Sequence, residues 1–288
     1  MPRQAYVNGR YIPHGEAAVH IEDRGYQFAD GVYEVVPVFD GILVDEDLHL
    51  DRLDRSLKEL RIDQPMSRPA LKLVARELMR RNGLTNGLVY MQVTRGVAPR
   101  DHKFPAASTR PALVMTTRQT KPHGEQVLNE GLKVVTIPDQ RWDRCDIKSI
   151  SLLPNILGKQ AAVEAGAYEA WQIDRDGKVT EGTSTNAWIV TADNKVVTRD
   201  ASHSILNGIT RITLIDLIRQ EGYELEERAF SVEEARAARE AFLTSSTSFV
   251  LPITQLDGKP IGNGHPGLLT GKLRQHYIDY MRSLRKSA

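Results

Sequence analysis

The order of apolar and polar positions opens the chain as sheet. Two extended apolar stretches are each cut by a turn dipeptide: Asn8-Gly9 lies between Ala5 to Val7 and Arg10 to Ile12, and Asp40-Gly41 between Val32 to Phe39 and Ile42 to Val44. A helix is expected from about Leu50 to Leu60. A second follows Ser67, where Leu71, Val74, Ala75 and Leu78 recur at helical spacing until Gly83. Strands resume at Leu88 to Thr94 and Ala112 to Thr117.

Residues Gln119 to Gly131 are polar, contain Pro122 and Gly124, and lack periodicity, so the domain boundary is expected there. This divides the chain into an N-terminal α+β domain at 1–120, a linker at 121–130 and a C-terminal α/β domain at 131–288. The second domain should open with a strand at Leu132 to Ile137. A helix near Leu153 to Ala165 comes next, its Leu153, Ile156, Leu157 and Ala161 forming one face against a sheet. Strands are expected around Glu169 to Asp174, Ala187 to Val190 and Ala241 to Leu243. A helix from Ile209 to Glu221 has Leu214, Leu217 and Ile218 on one side and Gly222 as its stop. A capping box at Ser231 and Glu234 starts another, and a last helix covers Leu268 to Leu284.

Composition narrows the class. A chain of 288 residues, 41% hydrophobic and 26% charged, can build a sizeable core, and 38 basic against 37 acidic residues leave a formal charge of +1. That balance offers no electrostatic footprint for nucleic acid. One cysteine, Cys145, excludes an internal disulfide, which fits a reducing compartment and equally a small secreted enzyme. Met1 to Ile12 carries no apolar leader core and no run of apolar residues is long enough to span a bilayer, so a cytoplasmic protein without membrane contact is expected.

Candidate chemistry is uneven. Gly262-Asn263-Gly264-His265-Pro266-Gly267 matches the dinucleotide fingerprint, but too little chain follows for a βαβ unit and no acidic residue lies about twenty positions on, so it reads as a turn. Eight histidines lack metal-ligand spacing, and no G-x-S-x-G elbow occurs. Glu181 to Asn186, by itself a turn between strands, sets small hydroxyl residues after a carboxylate. Thr244 to Ser248 is a second hydroxyl cluster, and Asn207-Gly208-Ile209-Thr210-Arg211 opens a helix whose free N–H groups suit an anion. Three such features in one domain suit a phosphorylated ligand.

The order of Lys148, Glu181, Thr198, Leu206-Asn207-Gly208-Ile209-Thr210-Arg211 and the Ser/Thr cluster resembles the class IV, fold-type IV aminotransferases that use pyridoxal 5′-phosphate (PLP). Within them, Asp23-Arg24-Gly25-Tyr26-Gln27-Phe28, Asp30-Gly31-Val32-Tyr33-Glu34-Val35 and Arg95 to Pro105 are most similar to the D-amino acid aminotransferases. Trp188 departs from the Phe or Tyr usual in the class, a change of packing on a buried strand. The resemblance implies a smaller N-terminal α/β sandwich domain and a larger C-terminal pseudo-barrel, with the cofactor in the cleft between them.

It also implies roles. Lys148 would form the Schiff base and shuttle the proton, and Glu181 would keep the pyridine nitrogen protonated. The phosphate would meet Arg52, Ile209, Thr210 and Thr247 with Ser246 and Ser248 nearby, while Ser184, Thr185 and Leu206 line the cofactor site and no metal takes part. Tyr33, with Arg100 and His102 from a neighbouring subunit, would bind the substrate carboxylate, assisted by Ser248, so a homodimer is implied. The leading expectation is transamination between a D-amino acid of the D-alanine or D-glutamate type and 2-oxoglutarate or pyruvate. Two others stand beside it: a branched-chain L-amino acid or (R)-amine aminotransferase or aminodeoxychorismate-lyase-like enzyme, and a non-catalytic phosphate-ligand binder.

Overall fold

A computed structural model describes residues 3–121 and 123–287; Pro122, counted in the expected linker, lies outside the described residues, as do Met1, Pro2 and Ala288. It resolves into two compact units, residues 1–121 with 147–151 and residues 122–146 with 152–288.

The first unit holds the strands β1 (Gln4–Val7), β2 (Arg10–Pro13), β3 (Gly31–Phe39), β4 (Ile42–Leu43), β5 (Gly87–Thr94) and β6 (Ala112–Gln119), and the helices α1 (Arg24–Phe28), α2 (Glu46–Leu60) and α3 (Arg68–Asn82). The strands form one antiparallel sheet in the order β2-β1-β6-β5-β3-β4. Both expected hairpins form, because Asn8 and Gly9, and likewise Asp40 and Gly41, take the positive φ that a two-residue turn needs. Helix α2 starts at Glu46, one turn before the expected Leu50. Leu50, Leu53 and Leu57 of α2 join Leu71, Ala75 and Leu78 of α3 and Val36, Val89 and Met91 of the sheet in one buried cluster. Each such leucine contributes about 1.5–3 kcal/mol on burial.

Residues 147–151 count with this unit although more than twenty residues of the second precede them. Their backbone pairs with the start of β3: Tyr33 N–H donates to the Lys148 carbonyl over 3.0 Å and Ile150 N–H to the Gly31 carbonyl over 3.1 Å. Periodicity along the chain gives no sign of this return.

The second unit holds the helix α4 (Glu125–Glu130) and the strand β7 (Leu132–Pro138), then α5 (Leu153–Glu164), β8 (Glu169–Ile173), β9 (Lys178–Gly182), β10 (Asn186–Val190) and β11 (Val196–Thr198). After these come α6 (Ile209–Gln220), β12 (Leu225–Glu227), β13 (Phe230–Ser231), α7 (Val232–Ala237), β14 (Glu240–Ser245), β15 (Phe249–Leu256), β16 (Lys259–Pro260) and α8 (Leu268–Ser287). Its mixed sheet runs β12-β11-β10-β14-β15-β7-β8-β9-β13, with β16 on β15. The run from β10 to β9 curls until those two strands lie against each other, which makes the expected pseudo-barrel. Trp171 and Phe230 meet edge to face in its core.

The expected packing of α5 is reversed. Leu153, Ile156 and Leu157 are 65%, 61% and 57% exposed, whereas Gly158 and Ala162 are buried. Gly158 approaches the sheet so closely that an added Cβ would lie 2.5 Å from Cδ1 of Ile137. Small residues at i and i+4 let the helix backbone sit low on the sheet, and the large apolar residues turn outward. Ser231 caps α7 through Glu234 N–H at 3.1 Å, but the Glu234 carboxylate pairs with Arg228 instead of returning to the cap.

The glycine-rich segment 262–267 is a turn, and its third glycine has a steric reason. An added Cβ at Gly267 would fall 1.8 Å from the Glu240 carboxyl carbon. That buried carboxylate accepts the N–H groups of Leu269 and Thr270 and the Thr270 hydroxyl at 3.1, 2.8 and 2.9 Å. The positive end of α8 is thus filled by the chain's own anion.

Candidate active site

In the first unit, β3 places alternate residues on opposite faces. Tyr33 turns one way, its ring centre 4.2 Å from Nζ of the half-buried Lys148. The Lys148 backbone N–H lies 3.4 Å from the Ser56 hydroxyl of α2. On the other face Glu34 is fully buried beneath α2. One of its oxygens accepts from Arg52 Nε at 2.8 Å, the other from Arg52 Nη2 at 2.8 Å and His49 Nδ1 at 2.7 Å. Burial pushes the Glu34 carboxyl up, but the Arg52 charge and these hydrogen bonds overcome it and hold it well below the usual carboxylate range. Burial also depresses the His49 imidazole more than Glu34 raises it, and its Nδ1 faces the Glu34 carboxylate. Arg52, expected to meet a phosphate, is therefore oriented by a carboxylate that the sequence pattern did not single out.

Arg100 and His102 are exposed and meet at one ring. The Arg100 guanidinium carbon is 5.1 Å and the His102 ring 5.5 Å from the centre of Phe28. Tyr90 packs beside Tyr33 with ring centres 5.7 Å apart, and burial with the Tyr33 neighbour pushes its phenol up to about 12.

In the second unit Glu181 and Gly182 end β9, so the expected turn shrinks to Thr183–Thr185. The buried Glu181 carboxylate accepts from Arg141 Nη1, from Leu206 N–H at 3.1 Å and from Asn186 Nδ2 at 3.0 Å. Asn186 Nδ2 also reaches the Leu206 carbonyl at 2.9 Å. Arg141 is held further by Asp139, with Nη2 at 2.7 Å from Oδ2. Burial disfavours its charge, but the two carboxylates more than offset this and raise its pKa. Burial pushes the nearby Cys145 thiol up to about 12, which favours its protonated form.

Ile209 and Thr210 begin α6 and are buried, behind an N-cap, Gly208, that offers no side-chain hydrogen bond. An added Cβ at Gly208 would fall 2.2 Å from Asn186 Oδ1, so the helix start and the Glu181 anchor are packed together. The hydroxyls of Ser184 and Thr185, expected near a cofactor, face the buried Glu169 carboxylate at 3.1 and 3.3 Å. Ser248 is buried with its hydroxyl 3.1 Å from that of Tyr168, while Ser246 is half-buried and Thr247 exposed. Trp188 is fully buried, stacked on Phe242 and donating from Nε1 to the Thr244 hydroxyl at 2.9 Å.

Arg141 and Glu169 escaped sequence reading, and Asn186 and Glu34, though inside quoted motifs, were given no role of their own. Nothing in their spacing marks them, since each acts through partners between five and forty positions away. Among the described residues no cluster of three or more histidine, cysteine, aspartate or glutamate side chains could hold a metal ion. No described helix is long and apolar enough to cross a membrane.

The curled sheet, the lysine returned to β3 and the arginine-clamped carboxylate coincide with a family match. The profile of the Amino-transferase class IV family fits residues 31–256, and the chain belongs to that family. It is 46% identical over 263 residues to the D-alanine aminotransferase of Bacillus licheniformis, covering 91% of this chain and 92% of that protein. The D-alanine aminotransferase of Staphylococcus haemolyticus is 37% identical over 281 residues, 97% of this chain and 98% of that one. Among solved structures, the branched-chain amino acid aminotransferase of Escherichia coli superposes with a TM-score of 0.89 at 22% identity, covering 97% and 94% of the two chains. That of the archaeon Thermoproteus uzoniensis, solved with norvaline, gives 0.83 at 24% identity, covering 96% and 93%. At such identities these likenesses concern the fold.

Proposed function

We propose that this chain transfers the amino group of a D-amino acid, of the D-alanine or D-glutamate type, to 2-oxoglutarate or pyruvate with PLP as cofactor. The observation that carries the proposal is the buried Glu181 carboxylate, fixed by Arg141, Asn186 and the Leu206 N–H beside an uncapped helix start. These residues fit the cofactor. A fixed anion suits a protonated pyridine nitrogen, and the free first-turn N–H groups of α6 suit a phosphate. When bound, PLP supplies an electron sink for the negative charge that develops at the substrate Cα.

The chain's own residues supply the rest. Lys148 carries the amine that would hold the cofactor and would move the proton at the substrate Cα. Its neighbour Tyr33 holds the lysine on one side and offers a phenol to the substrate carboxylate. Glu181 would hold a proton on the ring nitrogen of the bound cofactor, and Arg141 keeps Glu181 in place. Ile209 and Thr210, with Thr247 and the Glu34-oriented Arg52, bind the phosphate; Leu206, Ser184, Thr185 and Ser246 line the site, and Ser248 borders the substrate. Arg100 and His102 form the carboxylate trap, which together with Lys148 selects the D enantiomer by fixing the face that receives the proton.

We place Arg100 and His102 in the site of a second copy of the chain, so the working form is a homodimer. Their exposure, and the outward Leu153, Ile156 and Leu157, support an assembly that covers them. The unpaired Cys145 accords with work in the cytoplasm. An enantiomer-resolved assay tests the proposal: D-alanine should react with 2-oxoglutarate and L-alanine and L-leucine should not, after incubation with PLP has given a borohydride-reducible visible band. Activity on the L forms alone would overturn the assignment.

A further inference from the structure

Arg24 is a buried arginine, 4% exposed, at the start of α1 and outside the roles given above. Its three contacts point in different directions. Nε donates to Asp30 Oδ2 at 2.8 Å, Nη1 donates to the backbone carbonyl of Asp101 at 2.6 Å, and the guanidinium carbon lies 4.9 Å from the centre of Phe28. Asp101 stands between Arg100 and His102, and Phe28 is the ring on which those two meet. One guanidinium therefore holds both the backbone of the Arg100–His102 segment and the aromatic surface beneath it.

The mount is itself fixed. Asp30 also accepts from Arg95 at 2.7 and 2.9 Å, and Arg95 reaches the carbonyls of Leu60 and Arg61 at 2.8 Å each. The Arg95 guanidinium carbon lies 3.8 Å and that of Arg61 4.6 Å from the centre of Phe104, which anchors the far end of the same loop. At the near end, Arg24 N–H donates to the Gly96 carbonyl over 2.9 Å. The loop is exposed at Arg100 and His102 yet tied down on both sides of them. A fork is needed for this, because a lysine nitrogen at the same place cannot serve the Asp30 carboxylate and the Asp101 carbonyl with the same two directed donors.

We propose that Arg24 is a positioning residue for the substrate-carboxylate trap, presenting Arg100 and His102 in a fixed geometry and so setting affinity for the carboxylate of the amino or oxo acid. This rests on the role given to Arg100 under the proposed function. Without Arg24 the loop keeps its side chains but loses its directed support, and the carboxylate must then order it on binding. The loss falls on substrate binding and leaves proton transfer at Lys148 largely untouched.

The test compares Arg24→Met, Arg24→Lys, Arg100→Met and the double variant Arg24→Met/Arg100→Met as PLP-loaded protein. In Arg24→Met we expect amide exchange at 100–104 to quicken and KM for D-alanine to rise, each about tenfold as for one lost charge-assisted hydrogen bond, with kcat within about threefold. Arg24→Lys should fall between wild type and Arg24→Met, and it carries the comparison if the methionine variant does not fold. In the Arg100→Met background, removing Arg24 should change KM by less than about twofold, because the two act through one contact. A rise of equal factor in both backgrounds would mean general destabilisation and overturn the proposal. So would unchanged loop exchange and KM in Arg24→Met when Arg100→Met alone raises KM. If Arg100→Met leaves KM unchanged while Arg24→Met quickens loop exchange, the fault lies in the trap assignment, and the role of Arg24 in affinity falls with it.

Discussion

The Tyr33 N–H donates to the Lys148 carbonyl over 3.0 Å, and the lysine amine returns to lie 4.2 Å from the centre of the tyrosine ring. Backbone and side chain of two residues far apart in sequence are thus fixed to each other twice. The backbone rung survives any change of side chain, so lysine chemistry can be removed without removing the strand. Lys148→Ala should lower turnover by at least about a thousandfold, the scale of a lost proton-transfer group and covalent anchor. Its melting temperature should stay close to wild type, since the contact with Tyr33 is worth only about 0.5–1 kcal/mol. Calorimetry and a D-alanine assay on the same preparation check both halves.

Arg141 and Glu181 make a sharper case because both are buried. Removing one member of such a pair strands the other, which costs about 3–5 kcal/mol, whereas neutralising both costs much less. Arg141→Met leaves Asp139 as well as Glu181 without its cation and should destabilise more than Glu181→Gln. The double variant Arg141→Met/Glu181→Gln should recover part of the loss, and denaturant unfolding of the four proteins closes the cycle. Glu181→Gln by itself should slow turnover far more than it weakens PLP binding. Equal losses would remove Glu181 from proton control.

Sequence pattern reached the elements whose cause is local. The turns at Asn8-Gly9 and Asp40-Gly41 and the buried leucine faces of α2 and α3 follow from residue type and spacing alone. Helix α5 shows where that logic ends. Its apolar stripe is real but points outward, because depth on the sheet is set by Gly158 and Ala162, whose smallness has no weight in a hydrophobic pattern. The partners of the candidate site were hidden for another reason. Arg141 reaches Glu181 across forty positions and Glu34 reaches Arg52 across eighteen, distances at which only the folded chain brings charges together. The decoy at 262–267 carries the same lesson, since its last glycine answers to Glu240 and not to a ligand.

Gly208 ties the helix start to the carboxylate anchor. An alanine there would place Cβ 2.2 Å from Asn186 Oδ1, and Asn186 must move away from Glu181 and the Leu206 carbonyl to relieve it. Gly208→Ala should weaken PLP affinity by about tenfold or more, the equivalent of one hydrogen bond to a charged group. Gly267→Ala makes a control of similar clash far from the helix start of α6; it should lower stability through Glu240 and leave PLP affinity, measured by absorbance titration, unchanged.

The outward face of α5 predicts an effect of association. Ile156→Lys and Leu157→Lys add charge to exposed apolar positions, which in an isolated chain changes stability by less than about 0.5 kcal/mol. In a dimer that covers these positions the same charges must be desolvated, and the assembly should dissociate. Sedimentation velocity should show a dimer for wild type and monomer for the variants, with activity falling in step. A wild type that sediments as a monomer and retains full activity would defeat the shared site.

His49 gives the pH dependence a defined origin. In the folded chain it faces Glu34 and Arg52, with Asp45 on its own helix start, and burial holds its imidazole below the ordinary value. The unfolded chain binds a proton as pH falls through about 6.5 while the folded chain does not, so stability is full above that value and declines below it. The slope from this one group is at most about 1.4 kcal/mol per pH unit, and the decline ends only when pH passes the depressed folded value. Glu34 runs the other way in chemistry but not in sign: its lowered pKa stabilises the fold above the usual carboxylate range, and that contribution is lost progressively as pH falls from about 4.3 toward the depressed folded value. Between pH 7.5 and 5.5, therefore, Glu34 contributes a constant, and His49 a slope that it shares with His123, whose imidazole burial and the Arg274 charge also depress. His49→Gln, which keeps a donor for Glu34 but cannot titrate, should flatten melting temperature against pH across that window relative to wild type. If the two curves stay parallel, the slope belongs to other groups.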